Sequence, residues 1–330
     1  MARPQQKTLN LITQRRERGI WDLPLRLLRN RLAVIGMIIT VIVVLTAALA
    51  PMIAPYDPLK LSIPERLKPP SDAHIMGTDH LGRDIFSRVV FGAQISLQVG
   101  VVAVALGTIV GLIAGAAAGY IGKRTDTIIM GVMDAIYAFP AILLALVLVA
   151  VFGASLVTVM TAIAIVRIPI FARTVRGSVL AEREKEYIEA ARCIGQNPVW
   201  ILFRHILPNT LAPLIVVTTT YFATAIVVEA SLSFLGLGVP PPAASWGVML
   251  NDGRKYMEAY PHVVIFPGAA ISLTVLGFNL LGDGLRDVLD PRLKNLGSSQ
   301  NSGVSLTAPR VQPELVSESF QSCDSRRHDR

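Results

Sequence analysis

Long runs of apolar residues without a single charge are the feature that most limits what this chain can fold into. The runs 33–54 and 89–122 contain no charged residue at all. A helix needs about 20 apolar residues to cross a bilayer, where backbone polar groups find no water. Charged residues make up only 16% of the chain, against about 25% in an average soluble domain. The sequence therefore predicts a multi-span membrane protein and excludes a soluble enzyme, a disordered chain and a disulfide-stapled secreted domain.

These runs predict six membrane-spanning helices and an all-α membrane fold. The run 127–172 has only Asp134 and Arg167 as charges and is too long for one helix, so we divide it at 153–155. Both charged residues lie near predicted helix ends, where a side chain can reach the interface. The uncharged tract 236–247 is rich in Gly and Pro, which is typical of a loop. The predicted helices are 33–54, 96–120 with an interfacial lead-in at 89–95, the two parts of 127–172, 211–232 and 262–282.

The distribution of Lys and Arg predicts how these helices are oriented. One side holds 23 basic residues, in the segments 1–32, 123–124, 173–204 and 285–330. The other side holds seven, within 55–92 and 236–261. Cytoplasmic loops are enriched in Lys and Arg, so both termini are predicted to be cytoplasmic, as an even number of spans requires. The net charge of +8 then reflects topology and does not indicate a nucleic-acid partner.

The chain divides into a cytoplasmic basic segment 1–32, a first helix 33–54, an external loop 55–92, a core of five helices 93–284 and a cytoplasmic tail 285–330. The tail from about residue 297 is polar and lacks apolar periodicity, which predicts disorder. Ala48-Leu49-Ala50 resembles a signal-cleavage site, but the basic leader before 33–54 is too long for a secretory signal. Cys193 and Cys323 lie far apart and form no disulfide framework or metal motif.

Four glycines recur at every fourth position of the second predicted helix: Gly107, Gly111, Gly115 and Gly119. At this spacing they lie along one side of a helix, because four residues turn only about 40° past a full circle. Such a ridge lets another helix approach closely within lipid. Packing within this subunit is the preferred interpretation, and an interface between subunits is the alternative.

The segment 182–209 is a charged loop between two predicted spans, and its composition predicts an elbow of two short helices. Good helix formers continue to Ile194, and Gly195 is a typical helix stop. Asn197 and Pro198 are favourable as the N-cap and first residue of a second helix, which we expect Pro208 to end at the membrane. Physics alone leaves open whether the elbow is a rigid knob for a partner protein or a solvated connector.

The sequence of this elbow resembles a known motif. Glu189-Ala190-Ala191, then Gly195 after three residues and later Leu207-Pro208, is similar to the EAA loop of binding-protein-dependent ABC importer permeases. His205 stands where that loop usually has Ile, as in the oligopeptide/dipeptide branch of the family. Other segments that resemble the C-type permease of this branch are 55–58, 77–84, 87–88, 229–236 and 282–292. The resemblance covers about 30–295, although Gln94 departs from the Arg expected there and the tail beyond 297 has no counterpart.

The resemblance implies a type I ABC importer permease with six helices in a bacterial inner membrane. Segment 182–209 would be the coupling loop seated in a cleft of a cytoplasmic ATPase. Glu189 would pair with a basic group there, Ala190 and Ala191 would permit close seating, and Gly195 would form the corner. The implied partners are a second related permease, two cytoplasmic ATP-binding subunits and an extracytoplasmic solute-binding protein docked on 55–92 and 236–261. The implied cargo is a di- or oligopeptide, with nickel, glutathione or another small solute as alternatives.

Other functional classes lack their expected residues. The sequence has no Gly-x-x-x-x-Gly-Lys-Ser/Thr segment, so ATP hydrolysis is expected on separate subunits. An ion-coupled secondary transporter should show inverted repeats and coupling carboxylates within its spans. Glu229 is a candidate pathway residue, but structural pairing is the preferred interpretation. The five histidines form no ligand cluster and no nucleophile–base pair is visible, so no cofactor, metal or catalytic residue is expected.

Overall fold

The computed structural model of this chain describes residues 27–28, 30–240 and 242–289, which form a helical bundle. The predicted disordered tail and most of the basic N-terminal segment lie outside the described residues. The helices are α1 (Arg31–Ala48), α2 (Ala50–Ile53), α3 (Ile85–Ile121), α4 (Lys123–Tyr137), α5 (Ala141–Phe152), α6 (Leu156–Arg183), α7 (Glu186–Cys193), α8 (Pro198–Ile201), α9 (Leu207–Phe234), α10 (Trp246–Gly253) and α11 (His262–Leu289). The predicted all-α membrane fold is confirmed.

Five of the helical stretches are long and apolar enough to cross a membrane, and the sixth predicted span is bent. Helices α4 and α5 meet at an angle of 88°, so they make a sixth span only if the bent pair is counted as one. Residues 138–140 interrupt the helix, and Pro140 lacks the N–H that would continue it. Two ion pairs hold α4 against α6, between Asp126 and Arg176 and between Asp134 and Arg173. The prediction of one continuous helix here is therefore wrong.

Three other predicted boundaries also differ from the structure. Helix α3 begins at Ile85 and not at about residue 96, because the side chain of Asp84 caps it by accepting from the Ser87 N–H. Its first turns therefore replace the expected interfacial lead-in at 89–95. The first span ends at Ala48 and is followed by the separate turn α2. Pro208 does not end a helix, because a π-helical turn over Leu202–Ile206 joins α8 to α9.

The centre of the bundle is the contact between α3 and α6. Each glycine of the ridge, from Gly107 to Gly119, lies directly against α6, and a Cβ built on Gly115 would be 2.3 Å from the Ala172 carbonyl oxygen. A side chain on these glycines would therefore push the two helices apart. Helix α3 links the two ends of the molecule, since its first residue follows the segment 55–84 and its last turn reaches the elbow 182–209.

Candidate functional site

The elbow 182–209 consists of two short helices joined by a tight corner. Helix α7 ends at Cys193, and Gly195 follows with φ of +78°, a backbone conformation that favours glycine. Asn197 then caps α8, because its side-chain oxygen accepts from the N–H of Val199 at 2.8 Å. The corner is therefore built from the local features that the sequence contains: a stop glycine, a capping asparagine and Pro198 in the first turn.

Buried apolar side chains and two hydrogen bonds fix the elbow to the bundle. Ile188 of α7 and Ile201 of α8 are completely buried. The Tyr120 hydroxyl, on the last turn of α3, donates to the Pro198 carbonyl at 2.8 Å. The Arg183 guanidinium, at the end of α6, donates to the Gly119 carbonyl at 3.0 Å. The elbow is thus attached to the ends of both central helices and can transmit rigid-body movement to them.

A polar network around Glu182 closes the elbow from its inner side. The buried Glu182 carboxylate accepts from Lys185 Nζ at 2.5 Å and from the Tyr187 hydroxyl. Asn209, at the start of α9, donates to the same hydroxyl at 3.2 Å and to the His205 carbonyl at 2.8 Å. Partial desolvation, followed by the hydrogen bond to Glu182, raises the pKa of Tyr187 to about 12, so this hydroxyl stays protonated and continues to donate.

The outer face of the elbow exposes an acidic residue beside large apolar side chains. Glu189 and Ala190 are exposed, whereas Ala191 turns inward and is buried. Around the corner, Ile194, Val199, Trp200 and Phe203 are 75%, 61%, 57% and 63% exposed. Exposed apolar patches of this kind mark surfaces that bind proteins or membranes. These four residues were not among those predicted from the sequence, although large apolar residues in a charged loop between spans were a visible signal.

The other predicted site residues do not join the elbow's outer face. Leu207 and Pro208 begin α9, where Leu207 is half-buried. Glu229 lies near the other end of α9 and is completely buried. Its carboxylate accepts from the Ser233 hydroxyl at 2.8 Å and the Ser96 hydroxyl at 3.3 Å, which links α9 to α3. Within the described part of the chain, no group of three His, Cys, Asp or Glu residues is placed to hold a metal ion.

The end of the molecule opposite the elbow is covered by residues 55–84 and α10, which together we call the cap. Arg83 pairs with Asp79 at 2.6 Å and with Asp252 of α10 at 3.2 Å. Arg88, 1% exposed on the first turn of α3, lies 3.7 Å from both carboxylates. These ion pairs join residues 55–84 to α3 and to α10. The pair between Arg83 and Asp252 spans 169 positions of sequence. The cap is therefore a folded surface and not a loose connection between spans.

Comparisons with known proteins agree with this architecture. The family described as "Binding-protein-dependent transport system inner membrane component" matches residues 107–295, and "N-terminal TM domain of oligopeptide transport permease C" matches residues 20–70. The chain is 50% identical to a putative peptide transport system permease protein of Brucella abortus, over 82% of this chain and 92% of that protein. It is 48% identical to a dipeptide transport system permease protein of Alkalihalophilus pseudofirmus, over 82% and 89%.

Two further relatives extend the comparison. A glutathione transport system permease protein of Pectobacterium atrosepticum is 46% identical, over 87% of this chain and 96% of that protein. Among solved structures, the inward-facing MetNI methionine ABC transporter superposes with a TM-score of 0.52 at 20% identity, over 61% of this chain and 96% of that chain. At that identity the structural match shows a shared fold, which is the type I ABC importer permease fold.

Proposed function

This chain belongs to the family of binding-protein-dependent transport system inner membrane components and is the permease subunit of an ABC importer; on that premise, we propose that it imports di- and oligopeptides. Two of the relatives named above are peptide permeases by their names, at 48% and 50% identity over most of both chains. This level of likeness across nearly the whole length is the observation that carries the proposal. Glutathione, itself a short peptide, is the second candidate because of the 46% identical glutathione permease.

The permease is a multi-pass inner membrane protein, and we propose that both of its termini are cytoplasmic. The 23 to 7 distribution of basic residues supports this orientation. The elbow 182–209 then lies in the cytoplasm and the cap faces the opposite compartment. The proposed segments remain 1–32, 33–54, 55–92, 93–284 and 285–330, with the first 8 residues of α3 falling at the end of the external segment.

We propose that the outer face of the elbow binds an ATP-hydrolysing subunit, because this chain has no phosphate-binding loop of its own. Glu189 supplies an exposed negative charge, and the exposed Ala190 leaves room for close approach. Trp200 and Phe203 supply apolar area that a partner would bury. Since the elbow is anchored to α3 and α6, movement of the ATPase would tilt both central helices together.

The family associates with other ABC components, and we propose a specific assembly for this chain. It forms a heterodimer with a second related permease, binds two ATPase subunits and receives cargo from an extracytoplasmic solute-binding protein. The external surfaces that this binding protein would contact are 55–92 and 236–261. The ion-paired cap supports this role, because a folded surface can offer a fixed shape to a docking protein.

The function is tested by uptake and pull-down with elbow variants. Glu189→Lys reverses the exposed charge, and Gly195→Asp places a side chain at a φ of +78° that favours glycine. We expect both variants to insert normally and to lose ATPase pull-down and uptake of a labelled tripeptide. Glu258→Lys, an exposed charge reversal at the opposite end, is the matched control and should leave pull-down intact. Normal pull-down and uptake in both elbow variants would contradict the proposed coupling. Uptake of glutathione without uptake of the labelled tripeptide would make glutathione the cargo in place of di- and oligopeptides.

A further inference from the structure

Arg167 is a half-buried cation near the middle of α6. It lies eleven residues from the Leu156 end of α6, or about 16 Å along the helix, in a bilayer whose hydrocarbon core is about 30 Å thick. Its guanidinium carbon lies 5.0 Å from the centroid of the Tyr221 ring, at the middle of α9. The sequence-based prediction of a helix end near Arg167 is wrong, because α6 continues to Arg183, and the guanidinium lies beside Tyr221.

The charge of Arg167 has no anionic partner among the residues that the structure describes. Its Nε is buried without a hydrogen bond. The next basic residues of the same helix differ, because Arg173 pairs with Asp134 and Arg176 pairs with Asp126. An unpaired cation within a membrane span is unfavourable and is a mark of a functional site.

Near Tyr221, the contact between α3 and α9 contains two hydroxyl groups. The hydroxyls of Thr108 on α3 and Thr218 on α9 lie 3.4 Å apart, and Thr218 is one helical turn from Tyr221. The two threonines, Arg167 and Tyr221 are all half-buried, so the cluster that we define by these four residues is not sealed within this chain. Charged side chains at this depth face the protein interior or a water-filled cavity and not lipid tails. In the assembled importer, the open side of the cluster would therefore face a water-filled cavity or another subunit.

We propose that Arg167 binds the carboxylate of the peptide cargo as it crosses the membrane. This inference rests on the peptide-import function proposed above. A linear peptide carries at least one anionic group, its C-terminal carboxylate, and a guanidinium matches a carboxylate with two parallel hydrogen bonds. The Tyr221 ring holds the guanidinium by a cation–π contact, which leaves its N–H groups available to the cargo. The peptide ammonium group is repelled by the same charge, so Arg167 also orients the cargo.

The test compares two cargoes that differ only in the C-terminal carboxylate. The complete importer, with its second permease, ATPases and binding protein, is reconstituted in proteoliposomes and supplied with trialanine or trialanine amide. We expect Arg167→Gln to lower the rate of trialanine transport about tenfold or more, which is the loss expected when one charge-assisted hydrogen bond is removed. The rate of trialanine amide transport should change much less. Arg167→Lys should retain the preference for the carboxylate. Arg173→Gln removes a cation from the same helix and should leave the ratio of the two rates unchanged.

The ratio of the two rates separates a cargo contact from other roles. Any preference of the binding protein for a carboxylate is the same in every variant, so it cancels from the comparison. A ratio of the two rates that is unchanged in Arg167→Gln would overturn the proposal, whether or not both rates fall. If both rates fall equally and the yield of assembled importer is also lower, Arg167 forms an ion pair with the second permease instead. A wild-type importer that moves neither cargo contradicts peptide import itself, and the inference falls with it.

Discussion

Replacing Gly115 by alanine should destabilise the contact between α3 and α6, which forms the centre of the bundle. The new Cβ would lie 2.3 Å from the Ala172 carbonyl oxygen and 2.8 Å from Val175 Cβ. The first distance is more than 1 Å shorter than the roughly 3.5 Å at which non-bonded atoms normally touch. Because the obstacle is a backbone atom, a rotamer change cannot relieve the clash, and the helices must separate.

The expected cost follows from overpacking of this kind, about 1–3 kcal/mol of unfolding free energy. With an unfolding entropy of about 2.1 cal/mol/K per residue, 1 kcal/mol corresponds to roughly 1.5–2 °C for a chain of 330 residues, so the melting temperature should fall by roughly 1.5–6 °C. The assay is thermal unfolding of the purified permease in detergent, followed by intrinsic fluorescence. Gly177→Ala is the matched control, because this glycine lies on α6 and a Cβ there meets nothing within 4 Å.

Gly177→Ala should leave the melting temperature unchanged or raise it slightly, since alanine is the better helix former. A Gly115→Ala variant as stable as this control would refute the close packing of α3 on α6. It would also weaken the argument that the elbow moves these two helices as one unit. Equal destabilisation by both substitutions would indicate a general sensitivity of the helices and would remove the special role of the glycine ridge.

Two further predictions concern the elbow network and the topology. Tyr187→Phe removes the donor to the buried Glu182 carboxylate and should destabilise the folded elbow by about 1–3 kcal/mol. The expected result is faster protease cleavage within 182–209 while the bundle stays folded, and an unchanged cleavage rate would contradict the network. Reporter fusions after Arg124 and Arg292 should give cytoplasmic signals and a fusion after Lys255 an external one, and an external signal at Arg292 would contradict the proposed orientation.

Local sequence signals were sufficient for the corner of the elbow. Gly195, Asn197 and Pro198 each act within a few residues, and the structure forms a corner and a capped helix where they predict one. The charge-free runs likewise predicted most of the spans, because an apolar helix in lipid needs no information from elsewhere in the chain. These features depend on backbone chemistry, which a single sequence contains in full.

The errors arose where tertiary contacts decide the outcome. Helix α3 begins at its Asp84 cap, and the charge of Arg88 in its first turn is accommodated by carboxylates of the cap, one of them on Asp252, which the sequence does not place nearby. A helix end was expected near Arg167 because the length of α6 was underestimated. The break before α5 was available in the sequence as Pro140, but the apolar run on either side outweighed it.

The central claim is that the outer face of the elbow binds the ATPase, and site-specific crosslinking tests it most directly. A photoreactive amino acid in place of Trp200, which is 57% exposed, is activated in the assembled importer within native membranes. The same residue in place of Ile75, which is 63% exposed on the cap, is the matched control. The account predicts an ATPase adduct from position 200 and none from position 75. An ATPase adduct from position 75, or none from position 200 in an importer that transports normally, would contradict it.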